Sequence, residues 1–389
     1  MKIFDKPFTQ QDPMPEAAID RAVEILRSGR LHRYNTLAGE VAEATLLEES
    51  YAAYQGAPYC LATTSGGTAL QIALRAIGVG PGDAVLTNAY TLAPVPGAIH
   101  AVGGRPVLVE TRADWTLDQD HLRAQAQATG ARVLMLSHMR GHLTDMTALM
   151  AFCDGAGIRV IEDCAHTMGA WWGDTRSGNF GLVACFSTQT YKHMNSGEGG
   201  LLTTSDPEVA ARATILSGSY MLYERHGARP GADVFTRVRT LVPNCSSRMD
   251  NLRAALIRAQ LPHLEDNIAR WNARYQALED GLRGQEGFAV RDIPVAEFHV
   301  GSSFQFHYSG GDVPAFVQRC ADRGVEIKWF GADQPAGFTS RYDSWHYLGD
   351  MPRLAQTEAV LATTCDIRVP LTFSVEDCQL IAEIMCDCG

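Results

Sequence analysis

Between residues 55 and 205, short apolar runs alternate with longer segments whose apolar positions recur every three to four residues. Ala84–Thr87, Pro106–Glu110, Val133–Ser137, Arg159–Glu162, Val183–Ser187 and Gly200–Thr204 are compact runs that predict strands. Leu70, Ala73, Leu74 and Ile77 fall at helical spacing, as do Met146, Leu149, Met150 and Cys153. Strands alternating with helices predict a mixed, mainly parallel sheet covered on both faces, an α/β fold. Ligands of such sheets bind beyond the carboxyl ends of the strands. Residues just after each run are therefore where chemistry is expected.

The texture changes near residue 250. Asp250–Gln260 and His263–Arg283 predict long helices, the second with Leu264, Ile268, Trp271 and Tyr275 on one side. Ser303–Tyr308 alternates like a strand, Pro314–Arg323 predicts a helix with proline in its first turn, and Val325–Trp329 predicts another strand. Helices over Leu354–Thr363 and Val375–Cys386 follow. Residues 331–350 are aromatic-rich and loop-like, either disordered or part of a pocket wall. The expected division is a large domain over residues 1–250, including the segment 1–35, and a smaller α/β domain over 251–389.

Composition narrows the function. A chain of 389 residues, 46% apolar and 20% charged, has length for two domains. Its formal charge of −11, with no basic stripe, argues against nucleic-acid or anionic-membrane partners. No apolar run approaches the roughly 20 residues that span a bilayer, and the N-terminus has no apolar signal segment. A cytoplasmic location is the expectation. The ten cysteines lie singly, apart from Cys386 and Cys388, without CxxC or zinc spacing. They read as reduced thiols, and no metal site is expected.

Against abundant arginine the chain has four lysines, Lys2, Lys6, Lys192 and Lys328. Lys192 follows the run Val183–Ser187 and precedes the glycine-rich Gly197-Glu-Gly-Gly200. Unlike arginine, a partly desolvated lysine can lose its proton and attack a carbonyl. Thr64-Ser65-Gly66-Gly67-Thr68 opens the Leu70 helix: Ser65 can cap it, and the Gly66 and Gly67 amides can meet an anion. By contrast, Gly78-Val-Gly-Pro-Gly82 follows a helix and precedes a strand, so it reads as a connecting turn. Glu162 and Asp163 end a buried run, with His166 three residues on. An Asp there can keep a ring nitrogen protonated. Ser187, five residues before Lys192, suits a second phosphate contact. A phosphate cradle, an acid for a ring nitrogen and a single reactive lysine match the needs of pyridoxal 5′-phosphate.

These motifs, with Gly80-Pro-Gly-Asp83, Asp145-Met146, Phe186-Ser187 and Arg248-Met249, resemble the DegT/DnrJ/StrS sugar aminotransferases among the fold-type I pyridoxal-phosphate enzymes, from about residue 15 onward. The resemblance implies that Lys192 forms the Schiff base and moves the proton. It implies that Asp163 pairs with the pyridine nitrogen and that His166 lies near the phenolic oxygen. Ser65, Gly66, Gly67 and Ser187 would form the phosphate site. It further implies a homodimer with shared active sites, and glutamate or glutamine as donor to a keto or aldehyde group of a sugar, aminocyclitol, nucleotide sugar or keto-deoxy sugar acid.

The chain departs from the family pattern in several places. The usual Ser-Gly-Thr reads Ser65-Gly66-Gly67, moving the hydroxyl to Thr68. Leu92 stands where an aromatic stacks on the ring, with Tyr90 as a substitute candidate. Either Asn244 or Ser246 would reach the partner's phosphate site. Relatives that dehydrate deoxysugars carry His in place of the lysine; here His193 follows Lys192, favouring transamination. A dehydratase or eliminase, or a non-catalytic regulatory relative, are the alternatives. Arg33-Tyr34-Asn35 and Trp345-His346-Tyr347-Leu348 are similar to segments of a branch acting on an eight-carbon keto-deoxy sugar acid. Arg140 could meet a carboxylate or form a surface salt bridge, and Gln305 and His307 could line the pocket or a solvated strand face.

Overall fold

The computed structural model describes residues 2–389. Its main sheet has seven strands: β1 (Tyr59–Thr63), β2 (Ala84–Asn88), β3 (Arg105–Val109), β4 (Val133–Ser137), β5 (Arg159–Asp163), β8 (Val183–Ser187) and β9 (Gly200–Thr204). Between β5 and β8, the short β6 (Trp171–Trp172) and β7 (Thr175–Arg176) join β11 (Glu297–Phe298) in a separate small sheet. The order across the main sheet is β1-β9-β8-β5-β4-β2-β3. Pairs from β3 to β8 are parallel, while β8–β9 and β9–β1 are antiparallel.

Both faces of this sheet are covered, and the strands alternate between them. Val133, Met135, Ile161, Val183 and Cys185 pack with the helices Gly66–Ala76 and Pro94–Ala101. Leu134, Leu136 and Val160 face the helices Gln119–Thr129 and Met146–Ala156. On that second face, Ala184 and Phe186 meet the helices Glu43–Gln55 and Asn251–Gln260. Each fully buried Val, Leu or Ile contributes roughly 1.5–3 kcal/mol, against about 0.3–1 kcal/mol for a favourable charge at a helix end. Packing of the sheet therefore fixes where its strand ends lie.

The second unit is an antiparallel sheet, β10 (Phe288–Val290), β12 (Ser303–Tyr308), β14 (Thr364–Arg368) and β13 (Lys328–Trp329), in that order. It packs against the helices Leu264–Leu282, Val313–Ala321 and Val375–Cys388. The strand expected over Val325–Trp329 shrinks to Lys328–Trp329, the two residues that pair with β14. β14 was not foreseen: the helix Ala355–Thr363 runs into it without a glycine or proline to mark the boundary.

Packing crosses residue 250 in both directions. Phe4 and Phe8 pack edge-on against Phe373 in the C-terminal core, and the Phe4 amide donates to the Arg323 carbonyl. Conversely, Ala254 and Ile257 of the helix Asn251–Gln260 lie in the core of the first unit. The helix Leu264–Leu282 joins the two: Leu264, Ile268 and Trp271 belong to the first core, and Tyr275, Leu278 and Leu282 to the second. Arg33 is wholly buried and paired bidentately with Glu48, while Tyr34 bonds His226, so this segment is tied to the helix Glu43–Gln55 and to the connection after Tyr223–Arg225.

Candidate active site

The last residues of β4, β5 and β8 are Ser137, Asp163 and Ser187, with Ser187 two residues beyond the Cys185 that pairs with Asp163. In register, Ser137 faces Asp163 across the parallel ladder. Thr91 donates to the Ser137 hydroxyl at 2.8 Å, and Ser137 donates to Asp163 Oδ2 at 3.0 Å. The Ala165 amide donates to Oδ1 at 3.2 Å. Burial pushes the Asp163 carboxyl above its ordinary value, and nearby Lys192 opposes that shift. Glu162 turns to the other face, where it accepts from the amides of Gly178, Phe180 and Gly181 and meets His138 Nε2 at 3.1 Å. Of the two adjacent acids, one is architectural and one faces the cavity.

β1 leads into the helix Gly66–Ala76, whose N-cap Ser65 accepts from the Thr68 amide at 3.1 Å. The first backbone bond of this helix is made by Ala69, to the Ser65 carbonyl, so the Gly66 and Gly67 amides precede it. A Cβ on Gly66 would lie 2.8 Å from Ser187 Cβ, and one on Gly200 would lie 2.4 Å from the Ser65 carbonyl carbon. The helix start is thus pressed against the ends of β8 and β9. The Thr68 hydroxyl is engaged by Ser65 and Thr64 and does not line the cavity.

The loop from Thr188 to Gly199 is closed at its base by the Thr188 amide bonding the Gly199 carbonyl and the Ser196 amide bonding Thr188. Lys192 stands in this loop with Nζ 2.7 Å from His166 Nε2. Burial, reinforced by Arg140, pushes the Lys192 amine down to about 7, with Asp163 opposing. His166 is also pushed well below its ordinary value, by burial and then by Lys192. The contact needs one nitrogen lone pair as acceptor, so the pair carries at most one extra proton.

A cavity of about 510 Å³ collects these groups: Ser65, Gly66, Gly67, Leu92, Ser137, Asp163, His166, Ser187 and Lys192 line it, with Arg140, Gln189, Glu198, Phe338 and Arg368. A second cavity of about 490 Å³ shares Tyr191, Lys192 and Arg368 and is bounded by residues 11–15 and Trp271. Phe338 and Ser340 make residues 331–350 a cavity wall. Within that stretch Tyr342 and Trp345 are buried, and Trp345 lies in a cluster with Ala89 and Leu108 instead of reaching the cavity.

Several expected residues lie elsewhere. Tyr90 is 2% exposed and packs its ring edge-on against Phe330, in a cluster with Trp115 and Met139. Tyr90 therefore does not line the cavity, whereas Leu92 does. Asn244 and Ser246 are exposed and line no part of the cavity in the single chain. Gln305 is buried on Asp366, and His307 stacks on Trp115 and bonds the Ala113 carbonyl, so neither lines the cavity. Arg140 is not at the surface: its side chain is 9% exposed, 3.2 Å from buried Asp366. Ser137, Gln189 and Arg368 were not foreseen. Only Ser137 carried a usable sign, as the last residue of a foreseen strand beside Asp163.

The family model of DegT/DnrJ/EryC1/StrS aminotransferases matches residues 14–385. A dTDP-3-amino-3,4,6-trideoxy-alpha-D-glucose transaminase of Streptomyces venezuelae is 34% identical over 72% of this chain and 67% of its own. A 3-amino-5-hydroxybenzoate synthase of Amycolatopsis mediterranei is 33% identical over 63% of this chain and 61% of its own. The matched stretches thus span about two thirds of these relatives. The crystal structure of a 3-amino-5-hydroxybenzoic acid synthase superposes with a TM-score of 0.81 at 25% identity, covering 100% of this chain and 99% of that one. The chain belongs to the DegT/DnrJ/EryC1/StrS aminotransferase family.

Proposed function

We propose that the chain moves an amino group from glutamate or glutamine to a keto or aldehyde carbon of a sugar or sugar-like acceptor. Pyridoxal 5′-phosphate would be held in the cavity around Lys192. The observation that carries this is one lysine amine, able to be neutral near pH 7, sharing a cavity with a buried carboxylate. The family's dependence on this cofactor supports the choice.

The donor set fits the cofactor. Gly66, pressed on Ser187, leaves two helix-start amides and a hydroxyl for a phosphate. Asp163, fixed by Ser137 and the Ala165 amide, would hold a ring nitrogen protonated. When bound, the cofactor supplies an aldehyde and an electron-withdrawing ring. Lys192 would bind that aldehyde and then carry the proton between carbon atoms. His166, 2.7 Å away, would orient the lysine amine and share its proton. Leu92 would pack against the ring, and Phe338 would exclude water from one side.

A homodimer belongs to the same proposal. Ile19, Val23 and Leu26 form an exposed apolar stripe on the helix Glu16–Ser28, near exposed Leu31, Leu37 and Val41 in sequence. Asn244 and Ser246, exposed and away from their own cavity, are free to serve a partner's. All ten cysteines are free thiols, which supports a reducing, cytoplasmic setting.

Two results test the proposal. Capture of pyridoxal phosphate by cofactor-free protein should rise with pH and be half-maximal near 7, because Lys192 is neutral above about that value. Borohydride reduction and peptide mapping should find the label on Lys192. A label on Lys328, whose amine is pushed down only to about 8, or a midpoint in the ordinary lysine range, overturns the assignment. Separately, Gly66→Ala should weaken cofactor retention about 10- to 100-fold, since the added methyl meets the rigid end of β8. Equilibrium dialysis measures this; unchanged affinity would show that the helix start does not bind the phosphate.

A further inference from the structure

The cations around Lys192 outnumber the anions that could pair with them. Arg140 follows β4 with a left-handed backbone (φ 57°), a conformation that a residue with a Cβ keeps only when its surroundings impose it. Its side chain is 9% exposed and lines the cavity, yet its Nε and Nη2 make no aligned hydrogen bond. Asp366 Oδ2, 3.2 Å from Nη2, is also 3.8 Å from Lys328 Nζ, and its Oδ1 accepts from Gln305. One buried carboxylate thus serves two cations. Arg368, two residues along β14, has no carboxylate partner among the described residues; its guanidinium lies 3.5 Å from the Tyr191 ring centroid. The remaining acids on the cavity wall are Asp163 and exposed Glu198.

A buried guanidinium without aligned acceptors, as at Arg140, is costly unless an anion completes it, and its planar fork matches a carboxylate. We propose that Arg140, supported by Arg368, forms a recognition site for a substrate carboxylate entering the Lys192 cavity. The proposal rests on the reading of that cavity as the place of amino transfer. The carboxylate comes either from the amino-acid donor or from an acid group on the acceptor. The phosphate cradle at Gly66, Gly67 and Ser187 contains neither arginine, so the two anion sites are built from different residues.

Binding of 2-oxoglutarate, glucuronate and glucose to the cofactor-loaded protein, followed by calorimetry, tests this. Arg140→Met should weaken one of the two acids about tenfold or more and leave glucose unchanged. Loss for 2-oxoglutarate assigns the donor's carboxylate, and loss for glucuronate assigns the acceptor's. In the unaltered protein, the same acid should slow modification of Arg140 by phenylglyoxal, mapped by peptide analysis, and glucose should not. Equal affinities in wild type and variant, or no protection of Arg140 by either acid, overturns the proposal. Neither measurement requires turnover, and reduction at Lys192 reports separately on the cofactor.

Discussion

Lys192→Ala is expected to slow amino transfer by about 10³- to 10⁴-fold or more, because it removes both the carbonyl-binding amine and the group that moves the proton. Single-turnover mixing with glutamate, read by absorbance, measures the loss. Melting curves show whether the fold survives, and their expected direction is informative. Burial and Arg140 depress the amine to about 7 from its ordinary 10.5. A depressed lysine favours folding above its unfolded value and loses that contribution as pH falls toward the folded one. Below pH 7 the native protein must hold a charge beside Arg140, so the cofactor-free variant should melt no lower than the wild type at pH 6. A variant that keeps more than about one hundredth of the rate would remove Lys192 from the chemistry.

Asp163→Asn is expected to lower the rate by about 10²- to 10⁴-fold while leaving the cofactor-free fold as stable or more so. The two effects separate because the carboxylate is costly until a cation meets it. Asp163 is pushed above its ordinary value by burial, with Lys192 as a nearby counter-charge. A carboxyl with a raised folded value favours folding at low pH and loses that contribution as pH rises through it. The neutral amide should therefore raise the melting temperature of cofactor-free protein at pH 7.5 and flatten its dependence on pH. The rate is read in the same single-turnover assay. A variant equally slow but less stable at every pH would mean that Asp163 acts through Ser137 and Thr91 as a structural prop.

The strand ends of the main sheet were readable because each is a short apolar run followed by a polar residue, as in Val183–Ser187 or Arg159–Asp163. Side chains attached directly to those ends, Asp163 and Ser187, inherit that legibility, and so do Gly66 and Gly67 at a capped helix start. Lys192 stood out by its rarity and by its place between a strand end and a glycine-rich turn. What stayed hidden depends on long-range packing. Tyr90 is two residues from Leu92, yet Phe330 and Trp115 draw it into the core. Arg368 enters the cavity from β14, whose boundary has no turn residue. The burial of Arg140 on Asp366 joins positions more than two hundred residues apart, and no local pattern encodes it.

The helix Leu264–Leu282 behaves as a crossbeam mortised into two frames, its leading half in one core and its trailing half in the other. It is a rod of 19 residues, about 28 Å long at 1.5 Å per residue, long enough to reach from one core into the other. The two frames therefore share one continuous helix as their joint. The cavity wall over residues 331–350 has a lighter frame, with two single-turn helices as its only helices among the described residues. Phe338 in this connection is 56% exposed while touching the cavity, so one ring joins the cavity wall to the protein surface beside the crossbeam's fixed joint.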